Sequence, residues 1–265
     1  MSRLGPRFAE LKAQNRAAFI AFITAGDPNA ETTAALLVRL PEAGADVIEL
    51  GIPFSDPMAD GPAIQASSLR ALDAGMTLPK VLDLVRTFRK TNKKTPIVLM
   101  GYYNPIHKYG TAKFAKDAGE AGVDGLITVD LPPEEDEVLR LPANAHGIDI
   151  VRLATPTSDD HRLKTILNGA GGFLYYVSIT GVTGTKSFAE GEVRAAIARL
   201  QAATPLPCAV GFGIKTPEQA KGIATFADAA VVGSAIVERI AAGAGVEDVI
   251  SYCSELAEAV HTARP

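Results

Sequence analysis

The sequence has no tryptophan, and aromatic residues make up only 6% of its 265 positions. Stacking platforms for single-stranded nucleic acid need aromatic faces, so that class of function is disfavoured. A basic footprint is also missing. The 26 lysines and arginines are outnumbered by 30 aspartates and glutamates, for a net charge of −4, whereas nucleic acid calls for excess positive charge. Two cysteines, Cys208 and Cys253, make neither a disulfide framework nor a zinc motif and fit a reducing cytosol. Cys208 lies in the apolar run Pro207-Cys208-Ala209-Val210, which reads as a buried structural thiol rather than a nucleophile. The histidines His107, His146, His161 and His261 are scattered without metal-ligand spacing. That argues against a His-ligated metal and gives each a solvent-facing role. No apolar run reaches the length of a membrane span. The N-terminal stretch meets Glu10 and Lys12 before any long apolar region, so no secretion signal is expected.

Apolar residues make up 47% of the chain, enough for a substantial core. Strand-length apolar runs recur near 17–24, 46–50, 96–100, 125–129, 148–153, 172–178, 207–211 and 229–232, with helical patterns between them. Continuous apolar strands imply burial on both faces, hence a parallel sheet covered by helices. Eight strand-helix units without a composition break predict a single domain over 1–265, a closed (β/α)8 TIM barrel. Leu4, Phe8 and Leu11 at helical spacing add an N-terminal helix that caps it. The alternative is an open doubly wound sheet. That fold would show a glycine-rich fingerprint after the first strand, and Gly26-Asp27-Pro28 is not one.

In a barrel the segments that follow the strands gather at one face, where the chemistry sits. Three groups of residues stand there. The first is acidic. Glu49 ends the second strand and opens the stretch Glu49-Leu50-Gly51-Ile52-Pro53-Phe54-Ser55-Asp56-Pro57-Met58-Ala59-Asp60-Gly61-Pro62. A buried glutamic acid with a raised pKa can trade a proton near neutral pH. Asp60, in a wetter loop, can stay ionised and accept from an N–H donor. Turn aspartates that merely cap the loop are the plainer reading. The second group is a phosphate cradle from the last three loops: Gly184, Gly211, Gly213, Gly233 and Ser234. Glycines let backbone N–H groups approach an anion, and Gly233-Ser234 opens a short extra helix whose N-terminus favours negative charge. The third is an apolar slot of Phe22, Met100, Ile127, Tyr175, Phe212 and Val231. Each residue taken singly also reads as core; together they suit a flat apolar ring. No lysine stands at a strand end, which disfavours a Schiff base.

These stretches carry a resemblance. Phe22-Ile23-Thr24-Ala25-Gly26-Asp27-Pro28, the run from Glu49 to Pro62, Gly101-Tyr102-Tyr103-Asn104-Pro105, Asp130-Leu131-Pro132, Gly181-Val182-Thr183-Gly184, Gly211-Phe212-Gly213-Ile214 and Gly233-Ser234-Ala235-Ile236-Val237 together resemble the tryptophan synthase alpha subunit family. They occur in order over nearly the whole chain. The resemblance implies a carbon–carbon lyase of tryptophan biosynthesis that splits indole-3-glycerol phosphate into indole and glyceraldehyde 3-phosphate. It implies that Glu49 is the general acid/base, that Asp60 meets the indole N–H and stabilises the charge developing there, and that the loop bearing Thr183 closes over the substrate. It implies no cofactor in this chain. The partner would be a beta subunit that carries pyridoxal phosphate and receives indole by channelling within a cytoplasmic alpha-beta-beta-alpha heterotetramer. Its implied contact surface is Pro53, Phe54, Asp56, Pro57, Asn104, Asp130 and Pro132. Departures are small: Leu50 and Met58 are aliphatic exchanges, and Ile179 stands where some members carry Arg. Three other readings stay open: another phosphate-binding barrel enzyme, a free-standing lyase, and a catalytically idle activator of a beta-type partner.

Overall fold

The structure, a computed structural model, describes residues 1–178, 186–211 and 213–264. After α1 (Leu4–Ala13) come β1 (Ala18–Thr24), α2 (Ala30–Arg39), β2 (Val47–Gly51), α3 (Pro62–Asp73), α4 (Leu78–Thr91) and β3 (Ile97–Gly101). The middle of the chain forms α5 (Tyr103–Tyr109), α6 (Thr111–Ala121), β4 (Gly125–Thr128), α7 (Glu137–Ala145), β5 (Asp149–Ile150), β6 (Arg152–Ala154) and α8 (Asp160–Leu167). It ends with β7 (Leu174–Val177), α9 (Lys186–Ala203), β8 (Cys208–Gly211), α10 (Pro217–Ala224), β9 (Ala229–Val232), α11 (Ser234–Ala241) and α12 (Val246–His261).

Every strand pairing is parallel, in the order β5-β4-β3-β2-β1-β9-β8-β7-β6. The two ends of that order, β5 and β6, are separated in the chain by Val151 alone. They are two halves of one strand position, so the sheet closes into the eight-position barrel that the sequence implies. The one difference is the break in the fifth strand. Its first half pairs with β4 and its second half with β7. The hand-over is rapid: Gly171 N–H reaches Ile150 O at 2.8 Å, and Val151 N–H still bonds Leu126 O at 2.9 Å.

Both faces of the strands are apolar because both are covered. Ile20, Val47, Val98, Ile127, Val151, Phe173 and Val231 point into the bore and form one buried cluster. Alternate residues, such as Phe19, Ile23, Ile48, Leu50 and Leu99, pack outward under the helices. Helix α1 closes the N-terminal end of the bore. Its Leu4, Phe8 and Leu11 join the inner cluster, with the rings of Phe8 and Phe173 at 5.6 Å.

Two buried aspartates hold that helix. Asp46, ahead of β2, takes Arg7 at 2.5 Å, Arg16 at 2.7 Å, His261 at 2.9 Å and the Phe19 N–H at 2.8 Å. Asp124, ahead of β4, takes Arg3 at 2.8 Å, Arg89 at 2.7 Å and the Ile97 N–H at 2.8 Å. A buried carboxylate is tolerated where its lone pairs are met in this way. His261 therefore departs from the expected solvent-facing role, because α12 lays it against Asp46. A third buried pair, Arg152 to Asp136 at 2.5 Å, ties β6 to the start of α7.

Two local elements differ from the sequence reading. The stretch after β3 is expected as a loop but forms α5. Pro105 falls in its first turn, where no N–H is needed, and Asp130 from the next loop accepts the Tyr103 N–H at 2.7 Å. Helix α7 starts at Glu137 and runs through Pro142, a residue that ordinarily ends a helix. The carbonyl that this proline leaves unpaired belongs to Val138, an exposed residue.

Candidate active site at the C-terminal mouth of the barrel

Glu49 is the third residue of β2. Alternation along the strand turns Val47, Glu49 and Gly51 inward and Ile48 and Leu50 outward. Its register neighbours are Phe22 and Val98. The side chain is 1% exposed, and neither carboxyl oxygen has a hydrogen-bond partner among the described residues. Burial, and secondly the charge of Asp60, push its pKa up to about 8. A carboxyl group in this environment carries its proton at neutral pH and has no protein group to share it with.

Asp60 stands eleven residues further on, where the loop turns into α3. Gly61 and Pro62 start that helix, with proline at its favoured first position. The turn is held by Asp60 N–H to Pro57 O at 3.0 Å and by the Gln65 amide to Asp60 O at 2.8 Å. Its carboxyl oxygen Oδ2 accepts from the Tyr102 hydroxyl at 3.0 Å. Burial raises the Asp60 pKa, and the Tyr102 hydrogen bond opposes that rise. Two carboxyl groups thus share one site in unlike surroundings, the arrangement that separates an acid from an ionised partner.

The expected slot residues within the described chain all point into the bore. Met100 is in register with Ile127 and with Gly51, and Val231 with Ile20 and Gly211. Phe22, Thr24, Gly51, Asp60, Met100 and Tyr102 line one cleft. Ile127 and Val231 sit lower, buried in the inner cluster. The Phe22 ring lies so close over Gly51 that a Cβ there would stand 2.8 Å from it. Tyr175 covers Gly211, where a Cβ would meet its hydroxyl oxygen at 2.0 Å. Burial and the charges of Glu49 and Asp60 push the Tyr175 hydroxyl well above its ordinary pKa, so it remains a neutral donor. Leu153, paired with Tyr175 across the sheet, adds to this wall and packs against the inner cluster. Sequence reasoning passed over Leu153. The available signal was parity, since it shares the inward phase of Val151. Tyr102 was visible only as a residue after a strand, with nothing to join it to Asp60.

Among the cradle residues, Gly213 has a φ of +79°, a conformation that favours glycine. Gly233 and Ser234 stand at the start of α11, whose first turn closes with the Ile236 and Val237 N–H groups on Gly233 O. That leaves the N–H groups of the helix start for an anion. Gly211 serves a further purpose, since its missing side chain makes room for Tyr175. Thr183, Gly184 and Phe212 lie outside the described residues.

Around the mouth, Asp56, Asn104, Asp130 and Pro132 are exposed. Pro53 and Pro57 are buried within the loop, and the ring of Phe54 lies 5.4 Å from that of Tyr102. The large apolar side chain that this loop exposes is Met58. Burial raises both cysteine thiols to about 12, which leaves them unreactive. Among the described residues no helix is long and apolar enough to cross a membrane, and no cluster of His, Cys, Asp and Glu has the makings of a metal site.

The sequence model of the family described as tryptophan synthase alpha chain matches residues 8–263. A tryptophan synthase alpha subunit from Legionella pneumophila is 42% identical, with a TM-score of 0.91 over 98% of each chain. A chain of Mycobacterium tuberculosis tryptophan synthase is 36% identical, with a TM-score of 0.89 over 98% of each chain.

Proposed function

Since the chain belongs to the tryptophan synthase alpha chain family, we propose that it performs the family's lyase reaction with its two mouth carboxyl groups, Glu49 and Asp60. The reaction is retro-aldol cleavage of indole-3-glycerol phosphate to indole and glyceraldehyde 3-phosphate. The observation that carries the assignment is the pairing of a buried, partnerless Glu49 whose pKa is about 8 with a hydrogen-bonded Asp60 beside it.

The steps follow from those surroundings. Protonated Glu49 gives its proton to indole C3, and the ring becomes cationic. Asp60 faces the ring N–H, and its negative charge lowers the energy of that cation. Glu49, now a carboxylate in an apolar pocket, takes the proton of the hydroxyl on the adjacent side-chain carbon. The C–C bond breaks, its electrons return to the ring, and the hydroxyl carbon leaves as an aldehyde. Glu49 ends as it began, protonated. Phe22, Met100 and Tyr175 flank the ring, with Ile127 and Val231 beneath it, and the sequence reading adds Phe212 to the slot. Gly184, Gly211, Gly213, Gly233 and Ser234 hold the phosphate, and Thr183 closes the loop over it.

The exposed rim supports a partner, the tryptophan synthase beta subunit, in an alpha-beta-beta-alpha assembly. Asp56, Met58, Asn104, Asp130 and Pro132 would meet it, and indole would pass to the pyridoxal phosphate that the partner carries. Pro53, Phe54 and Pro57 stiffen the rim from within rather than anchor it from outside. Two buried cysteines suit the cytoplasm. The test is indole release from indole-3-glycerol phosphate by the purified chain, with and without a beta subunit. Indole should appear, and faster with the partner. Asp60→Asn should lower kcat/KM by about 10²–10³ while binding of a glycerol-phosphate ligand persists. No indole under either condition would refute the proposal.

A further inference from the structure

Tyr102 joins three loops that are far apart in sequence. Its hydroxyl donates to Asp60 Oδ2 at 3.0 Å and accepts the Ala59 N–H at 3.0 Å. The ring is 3% exposed and lies against Phe54. The next residue, Tyr103, sends its N–H to Asp130. The loops after β2, β3 and β4 therefore meet at one dipeptide, at the start of α5.

The carboxyl of an aspartate has two equivalent oxygens and a broad, two-fold torsion, so nothing in the side chain itself chooses which oxygen faces a ligand. A single fixed donor breaks that symmetry. Other groups nearby are engaged elsewhere: the Thr24 hydroxyl with Ser67 at 2.6 Å, and the Gln65 amide with the Asp60 backbone. We propose that Tyr102 is the positioning residue of Asp60. It holds Oδ2, leaves Oδ1 to the indole N–H, and passes movements of the exposed rim, through Phe54 and Asp130, to that carboxyl. This rests on the role proposed for Asp60. Rim and catalytic carboxyl are then a single mechanical unit, with α5 as its support.

Tyr102→Phe removes the hydroxyl and keeps the ring. It should lower kcat about tenfold, the worth of one hydrogen bond to a charged group, and leave KM within about twofold. A pH profile separates positioning from mere packing. The titratable groups facing the Asp60–Tyr102 pair are Glu49 of β2, Tyr175 of β7 and Asp130 of the loop after β4. None of them changes in the variant. Loss of the donor lifts the Asp60 pKa, so the acid limb of kcat/KM should move to higher pH. Tyr103→Phe, whose hydroxyl among the described residues meets Thr111 at 3.2 Å, should leave rate and limb as in the wild type. An unchanged kcat and acid limb in Tyr102→Phe, alongside an inactive Asp60→Asn, would overturn the link alone. An Asp60→Asn variant that cleaves at the wild-type rate would overturn the role of Asp60 and this inference with it.

Discussion

Glu49→Gln should make the protein more stable relative to the wild type as pH rises. An ordinary glutamate in the unfolded chain titrates near 4.5, and the folded one near 8. Between those values the unfolded state releases a proton that the folded state keeps. The sign follows: the stability tied to this group is fully present below about pH 4.5 and is lost as pH rises to about 8. Linkage over that interval gives a penalty that grows by roughly 3 kcal/mol between about pH 5.5 and about pH 8.5. Solvent screening takes little from this, since the side chain is 1% exposed. Glutamine has nearly the same shape and does not titrate. Its buried amide has its own cost, but one that does not vary with pH. The assay is urea unfolding of both proteins at the two pH values. Titrating groups away from this site are common to both proteins and cancel in the difference between them. The variant's advantage should grow by roughly 3 kcal/mol from the lower pH to the higher, while indole release is lost. A difference that stays constant with pH would refute the buried, protonated Glu49 and its acid role with it.

Gly211→Ala should push Tyr175 out of place, because a Cβ there would lie 2.0 Å from the hydroxyl oxygen and 2.5 Å from a ring carbon. A loss of about 1–3 kcal/mol with a raised KM is expected from thermal melts and cleavage kinetics. Arg152→Ala leaves Asp136 buried with Arg140 as its remaining ion-pair partner among the described residues; urea unfolding should show a loss of about 3 kcal/mol, most of it recovered when Asp136→Leu is combined with Arg152→Met.

The strand positions were legible because both faces of each strand are buried, which leaves an unbroken apolar run such as 17–24. Phe22, Glu49, Met100 and Tyr175 were legible as residues near strand ends, but their inward phase was not, since an unbroken apolar run does not distinguish its two faces. Helix α5 was not legible, since its first donor is met by Asp130, 27 residues further on. The link from Tyr102 to Asp60 spans 42 residues, and no periodicity in the chain encodes it. Asp46 and Asp124 were hidden for a related reason. A polar residue at the edge of an apolar run reads as a turn, and only the arriving arginines of α1 and α4 show it to be buried. The cradle was legible as glycines, but the second purpose of Gly211 depends on the ring opposite.

Helix α1 gives the barrel a floor. With Leu4, Phe8 and Leu11 seated in the bore, and Arg3 and Arg7 anchored on Asp124 and Asp46, the interior is a blind cup rather than a pipe. A substrate that splits in two inside such a cup must send both fragments back over the same rim. The small apolar ring and the charged triose then compete for one exit, and their order of departure is governed by the loops that border it. Mutations in the floor should alter how long the vessel lasts, whereas changes at the rim should alter which fragment leaves first.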